Sequence, residues 1–493
     1  ITVNYLCRRS EDEISIYSYV YTTPTGKLGP KDFLDSRDGP GNKAFGFKVS
    51  KVIDDPRLPP RSLVKGFYDA KNDHHKEMFL VRWVRLGMAF GADWNHAAKQ
   101  ELDTLIEQNE RKSGTHMGWT EWKDGPTPGS KMRLFGLVPN VTPEKFLDFD
   151  LHISPGGHVV ASSPEGEATA KISNQLLSDI QLTLDLIQNQ DVDENELKEF
   201  GQTLYNLIFP ESIHTHLHQT EAAGRKENAK LRLRLRVEDK SIASLPLEFI
   251  YRKIGGYYLS INPNTVLSRY LNLQLPPERI RRREGPLHML LILSEPSDQG
   301  KFQPDKWDEM FRKALSSQID SGQLSIDVVK RATSKEIAAA LKSRKPDIIQ
   351  YVGHGEYKNG RGYILLVNEE TGKSWPVTDD IFANLFMGHD DHLGLISLTA
   401  CESAESSAPQ AFIGVAPKLV ERGTPAVIAM QYSVQIKSAK VFFEDFYASL
   451  AARKPVDWAV QSARNAVSQQ FGLDNREFAT PVLYMRAKDG NLF

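Results

Sequence analysis

Cysteine is nearly absent from this chain. Its 493 residues hold only two, Cys7 and Cys401. Two thiols build no disulfide framework, which fits a reducing compartment. No apolar run approaches the roughly 20 residues that a spanning helix needs. The first residues, Ile1 to Arg9, lack the long apolar segment of a secretory signal. The expectation is a cytoplasmic protein with no membrane partner. The chain opens on Ile1 rather than Met, which leaves room for sequence ahead of it. Charge of one sign is not in excess either. With 61 Lys and Arg against 63 Asp and Glu the formal net charge is −2, so no global field recruits nucleic acid. Neither G-x-G-x-x-G nor a P-loop occurs. Asp73, His74 and His75 read as a solvated loop, and His214, His216 and His218 as a solvated helix. The first group has no recognised ligand spacing, no carboxylate or cysteine completes a site of known spacing around the second, and no metal or cofactor is expected.

What is present is the composition of a soluble globular protein, 40% hydrophobic and 25% charged, with room for two or three domains. One stretch carries chemistry. Pro346 to Val352 is a short apolar run that stops at Gly353-His354-Gly355. Leu393 to Ala400 is a second, and it stops at Cys401-Glu402-Ser403-Ala404. Short Ile/Leu/Val runs bounded by breakers read as buried parallel strands. In open α/β sheets reactive groups sit just beyond the carboxyl ends of such strands. An imidazole beside a thiol takes its proton and stabilises the thiolate. The glycines flanking His354 allow close approach of backbone, so the amides of Gly355 and Cys401 are candidates for an oxyanion hole.

The rest of the chain falls into three parts. Residues 1–145 mix strands (Ile14 to Tyr21, Met132 to Val138) with a helical pattern over 77–112 and a turn over 36–42. No catalytic constellation appears there. From 146 two strands joined by Ser154-Pro155-Gly156-Gly157 form a hairpin, and two amphipathic helices follow, the second opening at Asp193. Ala229 to Val237 alternates strictly and reads as a strand with one basic, solvated face; a nucleic-acid face is disfavoured because aromatics are not interleaved. Arg279 to Arg283, after Pro276-Pro277 in a linker, reads as a solvated charge run, with a protease-sensitive joint as the alternative. From Pro286 strands and helices alternate, which predicts a mostly parallel sheet with helices on both faces.

These motifs resemble the CHAT group of caspase-like cysteine peptidases, relatives of caspases and separase. Besides GHG and ACES, the resemblance includes Leu245 to Tyr251, Ala411 to Ala416, Gly423 to Gln431 and Trp458 to Arg464. It covers residues 146–493. It implies a caspase-like catalytic domain over 286–493 and a degenerate caspase-like half, or a sheet extension, over 146–285. It implies a cysteine endopeptidase with His354 and Cys401 as its dyad and no third carboxylate. It also implies a substrate pocket near Thr399 and near Met430, Gln431, Tyr432 and Ser433. Basic-specific relatives carry an acid where Thr399 stands, which argues against Arg or Lys as the scissile residue. Tyr432 either closes the pocket or belongs to the core. By the same resemblance the setting is bacterial defence or programmed cell death, with a pore-forming or regulatory effector as protein substrate. Residues 1–145 would then be a sensor or docking module on which an activating protein or ligand acts. Two other classes stay open: a catalytically silent interaction scaffold, and a sensor of a nucleotide-type ligand.

Overall fold

The computed structural model describes residues 145–188, 193–271, 285–299, 303–359, 361–389, 391–400 and 408–493, together with five strands nearer the amino terminus. The chain divides into two compact units between Pro143 and Glu144. In the first, β1 (Thr2–Ser10), β2 (Glu13–Val20), β3 (Thr115–Trp119), β4 (Lys123–Asp124) and β5 (Lys131–Pro139) form an antiparallel sheet of order β1-β2-β5-β3, with β4 also on β5. β2 and β5 are the two stretches predicted as strands, Ile14 to Tyr21 and Met132 to Val138. The helical pattern over 77–112, the turn over 36–42 and the Asp73-His74-His75 group lie outside the described residues, as does Arg279 to Arg283.

The second unit begins with β6 (Phe146–Ser154), β7 (His158–Ser163) and β8 (Gly166–Lys171). Helices α1 (Asn174–Gln188), α2 (Glu194–Ile208) and α3 (Glu211–Lys226) come next, then β9 (Lys230–Val237), α4 (Lys240–Ala243), β10 (Tyr251–Arg252), β11 (Tyr257–Tyr258) and β12 (Thr265–Tyr270). After these run β13 (Leu287–Leu293), α5 (Pro304–Ala314), α6 (Ser316–Asp320), β14 (Leu324–Val329), α7 (Ser334–Arg344), β15 (Ile348–Lys358), β16 (Arg361–Val367), β17 (Ser374–Thr378) and α8 (Asp379–Asn384). The unit closes with β18 (Leu395–Ala400), α9 (Ala408–Glu421), β19 (Ala426–Met430), α10 (Ile436–Ala451), α11 (Val456–Phe471) and β20 (Pro481–Met485). Local signals fix several of the helix starts. Asp193 accepts from the amides of Asn195 and Glu196 while Glu196 bonds back to the Asp193 amide, a reciprocal cap on α2. Thr333 caps α7 one-sidedly, its hydroxyl accepting from the Glu336 amide (3.1 Å).

One sheet runs through this unit in the order β14-β13-β15-β18-β19-β20-β12-β9-β6-β7-β8. The first five strands are mutually parallel. β20 turns antiparallel to β19 and is parallel to β12, so residues before and after 286 share one sheet. β13, β18 and β19 are buried along nearly their whole length, which requires helices on both faces. One face, through Ile348, Val352, Leu395 and Ile428, packs on Trp307, Phe442 and Val460 of α5, α10 and α11. The other, through Ile349, Tyr351, Ile396 and Val427, packs on Ile337, Phe382 and Phe412 of α7, α8 and α9. Strand order reverses between β13 and β15, and a crevice opens outside the carboxyl ends at such a reversal.

The basic face of β9 is not solvated. β9 lies between β12 and β6, and Arg232 and Arg234 are buried. The in-register parallel pairing with β6 sets Arg232 beside Asp148 and Arg234 beside Asp150. Arg234 donates from Nε and Nη2 to the two Asp150 oxygens (2.5 and 2.7 Å) and from Nη1 to the Lys488 carbonyl (2.9 Å). Arg232 Nε donates to Asp457 Oδ2 (2.6 Å) and Nη2 to the Asp489 carbonyl (2.8 Å). Alternation identifies which residues share a face, but not whether water or another element covers it. Here the start of α11 and the carboxyl-terminal segment cover it. Burial pushes the Asp457 carboxyl up, against the pull of Arg232, so the acid depends on its guanidinium partner. We expect Arg232→Leu to cost about 3–5 kcal/mol because it strands a buried carboxylate, and Arg232→Leu with Asp457→Leu to recover much of that loss in urea unfolding. A double variant no more stable than the single one would count against the pairing.

Candidate active site

β15 and β18 pair in parallel, with Val352 opposite Thr399 and Gly353 opposite Ala400. His354 follows Gly353 and is almost wholly buried. Cys401 follows Ala400 in the sequence and lies outside the described residues, which resume at Ala408 with α9. At His354 the strand changes partner. Up to Gly353 it pairs with β18, and from His354 onward it pairs antiparallel with β16, His354 opposite Leu365 and Gly355 opposite Ile364. The predicted strand into His354 is present, and β15 continues past it into a hairpin with β16. That hairpin carries apolar side chains into the core, with Ile364 and Leu366 buried.

Beneath this edge lies a line of buried polar groups. Gln350 is fully buried in the otherwise apolar start of β15. Its Nε2 donates to Thr399 Oγ1 (3.0 Å) and the Tyr351 carbonyl (3.2 Å), while Tyr447 OH of α10 donates to its Oε1 (2.7 Å). Burial pushes the Tyr447 hydroxyl well above its ordinary range, and it stays a donor. Bonds of this kind offset the cost of burying an amide inside a sheet. Gln350 was legible as the single polar residue in Ile348 to Val352, but its partners come from α10 and β18, distant in sequence.

The residues around the expected pocket separate by depth. Thr399 and Met430 are buried in the core beneath the edge. Tyr432 belongs to the core as well, edge-on to Phe249 at 6.3 Å and 4.6 Å beneath the Arg476 guanidinium. Gln431 and Ser433 are half-buried. Gln431 donates through Nε2 to the Ala479 carbonyl (2.7 Å) and Glu248 Oε2 (3.2 Å). Glu248, from the Leu245 to Tyr251 motif, is bound by the Arg269 guanidinium (2.7 Å). Arg464, from the late-helix motif, is fully buried and donates twice to the Pro481 carbonyl (3.0 and 2.6 Å), and burial lowers its pKa to about 10. Both motifs therefore brace the β19–β20 corner from inside.

The family model described as the CHAT domain matches residues 198–478, more than half of the chain. The chain belongs to the CHAT domain family. The mixed α/β architecture, a large sheet flanked by helices, is the one the motifs predicted for the second unit. Among solved structures, a chain of the Saccharomyces cerevisiae separase–securin complex is similar at 14% identity and a TM-score of 0.32, over 64% of this chain and 22% of that one. The Arg specific cysteine proteinase gingipain R is similar at 11% identity and 0.36, over 64% and 76%. A complex of Porphyromonas gingivalis RgpB pro- and mature domains is similar at 12% and 0.35, over 65% and 78%. No curated protein matches.

The three histidines on α3 of this CHAT chain have partners of their own. His214 and His218, one turn apart on α3, bring their Nε2 atoms to 2.8 Å, and Arg252 donates to His218 at 2.8 Å. His216 lies 3.1 Å from the Ser163 hydroxyl. The helix is therefore less solvated here than its sequence indicated. Among the described residues no group of three or more His, Cys, Asp or Glu could hold a metal ion, and no helix is long and apolar enough to cross a membrane. Burial, with Arg252 and His214 beside it, lowers the His218 pKa from its ordinary 6.5. An imidazole held neutral by the fold contributes stability that is lost as pH falls below 6.5 through its folded value. His218→Gln is expected to flatten that part of the pH dependence of the thermal midpoint. An unchanged pH dependence would contradict the assignment.

Proposed function

We propose that this CHAT protein is a cysteine endopeptidase that cleaves a specific protein partner. The observation that carries the proposal is the β15–β18 register, where buried His354 directly follows Gly353, the last β15 residue paired with β18, level with the end of β18 that precedes Cys401. In this reading His354 takes the thiol proton, and Cys401 sulfur adds to the scissile carbonyl carbon. The amides of Gly355 and Cys401 receive the developing oxyanion. Collapse breaks the C–N bond, and the imidazolium gives its proton to the leaving amine. Water, deprotonated by His354, then hydrolyses the thioester and frees Cys401. Gln431 and Ser433 meet the substrate, while buried Thr399, Met430 and Tyr432 shape the wall behind them. Glu248 is already neutralised by Arg269, which favours an uncharged scissile side chain over Arg or Lys. Residues 1–145 act as the module through which a partner or ligand switches the site on, in a defence or cell-death setting.

The test incubates wild type, His354→Ala and Cys401→Ala with proteins encoded beside the gene and reads fragments by mass spectrometry. A defined fragment from wild type alone is expected, with either substitution lowering cleavage by a factor of about 10³ or more. No fragment, with Cys401 also inert to a thiol-directed peptide probe, would overturn the peptidase in favour of a binding scaffold.

A further inference from the structure

Within one residue β15 passes from a central strand of the main sheet to one arm of a hairpin, and His354 stands at the change. Such a joint is a natural place for slack. Two buried hydroxyls take it up. Ser294, the first residue after β13, continues the ladder by donating its amide to the Val352 carbonyl (2.9 Å). Its Oγ donates to the carbonyl of Leu365 (2.7 Å), the residue paired with His354 across the hairpin. Tyr351 OH donates to the same carbonyl (3.1 Å). Both side chains are fully buried, and burial pushes the Tyr351 hydroxyl above its ordinary range, so it remains a donor. The Tyr351 ring is held edge-on between Phe382 and Phe412, at 5.7 and 5.9 Å.

Gly353 belongs to the same device. A Cβ there would come within 2.7 Å of Tyr351 OH and 2.9 Å of Ser294 Cβ, so these two side chains occupy the space where any other residue would place its own. Tyr351 packs in the core on the α7–α9 face. Ile348 and Val352, two steps either side of Gln350 and in phase with His354, pack on the other. Ser294 and Tyr351 therefore approach His354 from behind the sheet and touch no substrate there.

We propose that Ser294 and Tyr351 are positioning residues for His354: by converging on the Leu365 carbonyl they fix the β15–β16 register at the residue that carries the imidazole. This rests on the peptidase reading above. The base of the hairpin has separate anchors. Asp298 accepts from the Ser374 amide (2.7 Å) and hydroxyl (2.8 Å), the Val367 amide donates to the Ala332 carbonyl (3.0 Å), and Arg331 donates to the Glu369 carbonyl (2.7 Å). Loss of the two hydroxyls should loosen the joint and leave the hairpin in place.

The rate of Cys401 alkylation by iodoacetamide, followed by peptide mass spectrometry as a function of pH, reports whether His354 is poised beside the thiol. The proteins are wild type, His354→Ala, Ser294→Ala, Tyr351→Phe, the double hydroxyl variant and Gly353→Ala, each with its thermal midpoint. In wild type the thiolate should form below the ordinary thiol range of about 8.5, and His354→Ala should return it there. The double variant is expected to move the profile toward that of His354→Ala and to lower kcat by about 10- to 100-fold with little change in KM. Gly353→Ala, which pushes the hydroxyls aside, should do the same. A wild-type profile and kcat in the double variant would overturn the proposal. A wild type indistinguishable from His354→Ala would instead overturn the peptidase reading. Should the double variant not fold, the single variants, each missing one oxygen, decide by the same shift.

Discussion

The strand from Ile348 to Lys358 has to satisfy two sheets at once, parallel neighbours up to Gly353 and an antiparallel one from His354. A backbone that changes partner inside a dense interior leaves polar groups that need partners and space that must be filled. The chain meets both needs with the same few atoms. Gly353 leaves the space, Tyr351 and Ser294 fill it, and their hydroxyls satisfy the Leu365 carbonyl. On the opposite face Gln350 joins Thr399 of β18 to Tyr447 of α10. The edge is thus braced from both sides of the sheet.

A sheet of this width also has to dispose of charge. β9 and β6 carry alternating arginines and aspartates that meet in register because the strands are parallel and unshifted. Buried guanidinium and carboxylate groups are tolerated where each finds a partner and its remaining donors find carbonyls, as the Asp489 and Lys488 carbonyls provide. The carboxyl-terminal segment that supplies them follows directly on β20. β20 in turn links β19 to β12. The strands between Phe146 and Tyr270 are therefore built into the same sheet as the candidate site, and Arg232 and Arg234 hold the segment that follows the strand joining the two parts of that sheet.

Membership of the CHAT domain family fixes the scaffold, while the chemistry rests on particular side chains. Two family-like motifs remote in sequence from His354, Leu245 to Tyr251 and Trp458 to Arg464, have a physical place: Glu248 and Arg464 support the corner where β19 gives way to β20.

Much of the second unit was legible in the sequence, because apolar runs such as Leu287 to Leu293 and caps such as Asp193 and Thr333 are local signals. His354 was legible for the same reason, since Gly-His-Gly ends an apolar run. What lay beyond sequence was set by contacts between distant segments. Alternation put Arg232 and Arg234 on one face of a strand, but only the tertiary structure decided that Asp457 and the chain end would cover it. Ser294, Tyr351 and Leu365 carry no motif, and they meet only because β13, β15 and β16 converge. Periodicity records what each element can bury; which element arrives to cover it depends on strand order and on the crossovers that bring remote residues together.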